Sequence, residues 1–184
     1  MIRSVSILLA ASGLALASAQ ATAASLAAHA GTDYFGIEAS QIVTPGIRVG
    51  AGYTQTDGSG RDARLYNASL MFSPATPVVD VAVGGRYQYQ QTDWGNGGGL
   101  GLGGSLFVNT PVPRVAIGGY AFFTPDGLTH GSVEESREYG LQARLRLFSQ
   151  TYAQAGYRYT RTDFGDRGDR RLHRGPVLGI SFGI

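Results

Sequence analysis

The sequence predicts an all-β fold: an antiparallel up-and-down transmembrane β-barrel of ten strands, with eight as the alternative. Three observations carry this expectation. Apolar and polar residues alternate over run after run, as in strands whose two faces meet different surroundings. Glycine supplies 28 of 184 residues and charged residues only 15%, below the roughly 25% of soluble domains. Short connections also alternate with longer polar ones, as in barrels with tight turns at one end and loops at the other.

The elements follow in chain order. Arg3, the uncharged run Val5 to Leu16 and the small-residue site Ala17-Ser18-Ala19 read as a secretory signal peptide over residues 1–19. Cleavage after Ala23 is the alternative, and residues 20–184 form the barrel. The apolar run is shorter than the roughly 20 residues a spanning helix needs. A short strand near 25–30 precedes a tight turn at Gly31-Thr32-Asp33. Runs near 34–41, 46–55, 63–72, 78–90, 99–108, 114–123, 139–147, 152–161 and 178–184 complete the ten. Counting only the nine clear runs would leave an odd number, and single-chain bacterial barrels have an even one. Short connections fall around Pro45-Gly46, Pro74 to Pro77, Pro111 to Pro113 and Ser149-Gln150. Longer ones fall near 56–62, 91–98, 124–136 and 162–174. In the last hairpin but one, pairing Leu147 with Ala153 and Leu141 with Tyr159 keeps apolar opposite apolar, as a correct register requires.

Alternation does not say which face is outside, and a soluble lipocalin-like carrier would turn the apolar face inward. Aromatic placement favours lipid outside. Tyr53, Tyr87, Tyr89, Phe123, Tyr157 and Tyr159 lie late in upward strands, and Phe35, Tyr66 and Tyr139 early in downward ones. All nine share one height, as in an interfacial girdle. The polar face then encloses charges of both signs: Glu38, Asp80 and Glu138 with Arg48, Arg86, Arg114, Arg144, Arg146 and Arg158. Pairing lowers the cost of enclosing them, and a barrel of eight to ten strands has little free interior. These groups predict a plugged lumen or, if ions pass, a narrow anion-preferring pore.

Cysteine is absent, which excludes a disulfide scaffold and a cysteine nucleophile, and the net charge of +2 does not point to nucleic acid. Gly99 to Gly104 spells the dinucleotide fingerprint G-x-G-x-x-G, but a strand follows where that motif needs a helix, so small residues inward and leucines outward explain it. Arg167, Arg170, Arg171 and Arg174 outweigh a cation site among Asp163, Asp166 and Asp169. The same arginines suit lipopolysaccharide phosphates, since guanidinium forks match phosphate geometry. His130, Ser132 and Glu134 are the nearest approach to a lipid-modifying catalytic set, yet all lie in one loop. No catalytic residue, metal ligand or cofactor is expected.

Asp33-Tyr34 through Gly50-Ala51-Gly52-Tyr53, and Ala155 to Tyr159 leading through an Asp/Arg-rich loop to Gly175-Pro176, carry a resemblance. In these segments the chain resembles the YfaZ-like outer-membrane proteins. The resemblance implies a small outer-membrane barrel, exported by its signal peptide and inserted by the barrel-insertion machinery. It implies no functional residues. Many such barrels end in an aromatic residue; this chain ends in Ile184, with Phe182 two positions earlier. The expected function is a monomeric membrane scaffold or narrow pore. A surface-loop protein contacting lipopolysaccharide or a partner is the alternative, and a lipid-modifying enzyme a more distant one.

Overall fold

The computed structural model describes residues 23–57, 62–74, 76 and 78–183. The signal-peptide reading of residues 1–19 and both cleavage sites lie outside the described residues, apart from Ala23 itself.

Ten strands close into one antiparallel ring. They are β1 (Ala23–Gly31), β2 (Tyr34–Thr44), β3 (Ile47–Thr56), β4 (Ala63–Phe72), β5 (Val79–Thr92), β6 (Gly95–Asn109), β7 (Val115–Thr124), β9 (Glu135–Arg146), β10 (Thr151–Asp163) and β11 (Asp169–Gly183). Each pairs with its sequence neighbour among these ten, and β1 pairs with β11 to close the ring. The eleventh strand, β8 (Thr129–Gly131), is a short addition to the tall edge of β6. The weak run near 25–30 is therefore a full strand, and the even count holds. Its turn to β2 is two residues, with Asp33 in the left-handed region at φ 56, a conformation aspartate tolerates better than most residues.

Period two sets every face. In β9, Tyr139, Leu141, Ala143 and Leu145 point out while Glu138, Gly140, Gln142 and Arg144 point in. The fingerprint-like glycines fall within β6, where Gly99 and Gly101 are buried and Leu100 and Leu102 exposed. Small inward residues let adjacent strands coil tightly. An added methyl at Gly103 or Gly118 would strike the carbonyl oxygen of Ala121 or Leu106.

Two expectations are corrected. Leu147 does not meet Ala153; Leu145 does, and Leu141 meets Tyr157. The register is displaced by two residues, which leaves every side chain on its face and so is invisible to the alternation. The cause is the connection: the N–H groups of Leu147 and Phe148 both donate to the Thr151 carbonyl, at 2.8 and 3.4 Å. Four residues rather than two make the bend. The second correction concerns the connections near 91–98 and 162–174, which are mostly strand. β5 and β6 run to a two-residue turn at Asp93-Trp94, and β11 begins at Asp169. The wall therefore stands higher over β5, β6, β10 and β11, which have 14, 15, 13 and 15 residues.

Candidate functional site

The nine charged residues predicted to face inward all line one cavity of about 980 Å³. Its bottom opens among the short connections, beside the start of β1 and the end of β11. Its upper limit is an ion cluster. Glu138 on β9 is 3% exposed and lies 2.9 Å from both Arg86 on β5 and Arg158 on β10. Arg86 reaches both carboxylate oxygens, the second at 3.3 Å. Arg158 also donates to the Tyr34 hydroxyl. One carboxylate thus joins opposite walls of the barrel, and losing it would leave two enclosed guanidiniums facing each other.

Above the cluster the interior is filled. Gln90, Ser136 and Thr162, from β5, β9 and β10, hydrogen-bond to one another at 3.0–3.4 Å. Over them Ala63, Leu65, Val133, Phe164 and Leu172 form an apolar cluster with Trp94 packed against it. Two local features deliver these side chains. The connection after β7 folds inward at Val133, anchored by the Ser132 N–H donating to the Asn96 carbonyl at 3.0 Å. A bulge in β11 turns both Leu172 and His173 inward, where strict alternation would admit one.

Below the cluster the interior is open and charged. Asp80 lies 3.5 Å from Arg144 and 3.9 Å from Arg48. The Arg144 guanidinium also rests 3.4 Å over the Phe107 ring, its Nε without a hydrogen-bond partner. Arg114 and Arg146 stand exposed at the rim, and among the described residues neither is in an ion pair with a carboxylate.

The sequence missed the lumen aromatics. Arg86 lies over Phe122 at 4.0 Å and Arg158 over Tyr34 at 5.0 Å, so with Phe107 three inward arginines each rest on a ring. Such contacts add to the ion pairs. The signal was parity: Phe107 and Phe122 share it with inward Gly103 and Gly118.

The nine girdle aromatics all point outward near the long-connection end. Tyr53, Tyr66 and Tyr89 are direct cross-strand neighbours, as are Tyr139 and Tyr159, whose rings stack at 4.8 Å. Phe35, Tyr87, Phe123 and Tyr157 occupy the same zone, 39–44% exposed.

The four loop arginines divide. Arg167 donates to the Trp94 carbonyl and Arg170 lies 5.6 Å over the Trp94 ring, so both cap the plug. Arg171 and Arg174 lie on the outer wall, Arg174 bonded to the Tyr157 hydroxyl at 3.0 Å. Arg171 sits across from Arg161, and Arg161 from Arg137, giving a three-arginine row that sequence reasoning did not assemble. Glu135 is 2.6 Å from Arg137, and Asp169 pairs with Arg161. The Arg161 hydrogen bonds hold the Asp169 carboxyl below its ordinary pKa. His130 bonds the Tyr87 hydroxyl at 2.7 Å, while Ser132 abuts Gly95 and the Glu134 carboxylate abuts Gly165. These three have different partners and form no relay. Among the described residues no group of acidic, histidine or cysteine side chains is arranged to hold a metal ion.

The class this defines is a small, closed, antiparallel ten-stranded barrel with an apolar exterior and a charged interior filled at one end. The chain belongs to the YfaZ family, described as YfaZ precursor, which it matches over residues 4–184. No curated protein matches it.

Proposed function

We propose that the protein is a monomeric outer-membrane barrel that serves as a closed membrane scaffold, with no catalytic role. The observation carrying this reading is the outer wall. Leu70, Val83, Leu102, Ile117, Leu141 and Leu178, on β4, β5, β6, β7, β9 and β11, are each 53–73% exposed and form a belt on the outer wall. Such a belt in water would be an aggregation surface; in hydrocarbon it is the stable arrangement. The outward run from Val79 to Tyr89 on β5 covers ten residue steps. At about 3.3 Å per residue and a tilt of about 40° it stands about 25 Å tall, the height of a barrel's apolar band. Phe72, Phe148 and Phe182 border the belt at the short-turn end, opposite the tyrosine girdle. In this orientation the start of β1 and the end of β11 face the periplasm, as in bacterial barrels, and the insertion machinery is the biogenesis partner.

The filled upper half argues for a scaffold over a pore. Purified protein should require detergent to stay folded, and planar bilayers containing it should stay electrically silent. A folded, detergent-free monomer would overturn the membrane reading; steady open channels would overturn the closed one.

The arginine row on β9–β11 supports a second reading, contact with lipopolysaccharide phosphates just above the tyrosine girdle. Arg161→Gln with Arg171→Gln should then reduce the lipopolysaccharide that copurifies with the barrel. Unchanged retention would remove this reading.

A further inference from the structure

We propose that the open half of the lumen is a binding cup for a small, multiply charged anion bearing phosphoryl or carboxylate groups, entering from the short-turn end. Among the described residues the cup's lower wall carries Arg48, Arg114, Arg144 and Arg146 against Glu38 and Asp80. Asp80 is shared between Arg48 and Arg144, so one carboxylate meets two guanidiniums. Arg114 and Arg146 have no carboxylate partner among the described residues and stand where an entering anion meets them first. Four guanidiniums converging on one concavity suit a ligand with several anionic oxygens, because each fork offers paired donors. A volume of about 980 Å³ lies within the range of small-molecule sites. The enclosing barrel wall lowers the local dielectric and strengthens the attraction.

The backbone adds an independent sign. Arg114 is held at φ 68, in the left-handed region. Turns normally assign that conformation to glycine or asparagine, since a longer side chain there is strained. The Arg146 N–H donates to the Arg114 carbonyl at 2.8 Å, which fixes the two rim arginines beside each other. A bulky cation kept in a strained turn at the rim of a charged concavity fits a binding role. The Arg86–Glu138–Arg158 cluster forms the end wall, so the cup captures a ligand without conducting it. The inference needs only the barrel and its lumen, and holds whether or not the wall faces lipid.

The test is isothermal titration of the refolded full chain with pyrophosphate, and in parallel with citrate, at low ionic strength. Saturable binding of one or both anions at one site is expected; the anion preferred assigns phosphoryl or carboxylate chemistry. Arg114→Gln with Arg146→Gln should weaken binding at least tenfold, about 1.4 kcal/mol. Both residues are exposed at the rim, and circular dichroism checks that the variant keeps its strands. Arg137→Gln with Arg171→Gln, on the outer wall, should leave binding within twofold. Absence of saturable binding by either anion would overturn the proposal. So would a rim variant that binds as well as the parent, or an outer-wall variant that loses as much.

Discussion

The two halves of the lumen are built from the same alternating strands yet have opposite interiors. Above Glu138 the inward residues are Leu65, Gln90, Val133, Ser136, Thr162, Phe164 and Leu172, close-packed and hydrogen-bonded. Below it they are Arg48, Asp80, Arg144 and Arg146, spaced around open volume. The difference comes from what the ends of the strands do. At the upper end the tall β5–β6 and β10–β11 hairpins and the connection after β7 fold side chains over the opening. At the lower end Thr110, Val112, Pro113, Arg114 and Gln150 of the short connections line the rim of the cavity without closing it. Alternation thus decides which residues are enclosed, and the connections decide whether the enclosure is filled.

The largest effect is expected at the boundary between the halves. Glu138→Ala should cost about 3–5 kcal/mol, because two enclosed guanidiniums lose their shared partner; the shift of the urea unfolding midpoint measures it. A loss under 1 kcal/mol would mean that the cup and the plug are not joined through this carboxylate. Leu172→Ala tests the plug itself, with about 2–5 kcal/mol expected for a cavity in a packed cluster. The same variant should begin to leak current in planar bilayers where the parent is silent. Leu141→Arg carries the comparison to the outer wall and should cost about 2–4 kcal/mol near the middle of the apolar belt. The adjacent inward substitution Gln142→Arg should cost less, because it enters the open half. Refolding yields into lipid vesicles compare the two. The smallest effect is at the rim: Arg114→Gly should raise stability by up to about 1 kcal/mol by relieving the left-handed backbone, less glycine's extra chain entropy.

Much of this was legible in the amino-acid order. Faces were readable because they depend only on parity, and eight of the nine inward charges and all nine outward aromatics follow from it; Arg114 lies in the turn before β7, where parity does not apply. The ten-strand count was readable because an odd ring cannot return both ends to one side. Register was not, since moving Ala153 from Leu147 to Leu145 changes no face; only the hydrogen bonds of the 147–150 connection distinguish the two. The plug was not readable either. Val133 lies in a polar connection, and Leu172 turns inward through a bulge that breaks the alternation. The pairing of Arg86 with Phe122 and Arg144 with Phe107 depends on strands far apart in sequence, which no local pattern reports.

The orientation of the two faces can be read directly, because a chain without cysteine accepts a single labelled one cleanly. Leu141→Cys and Gln142→Cys, each carrying a fluorophore, are refolded into vesicles of brominated lipid, which quenches on contact. Strong quenching at 141 and weak quenching at 142 is the predicted result. Equal quenching at both, or stronger quenching at 142, would contradict a barrel whose leucines face hydrocarbon and whose arginines are enclosed.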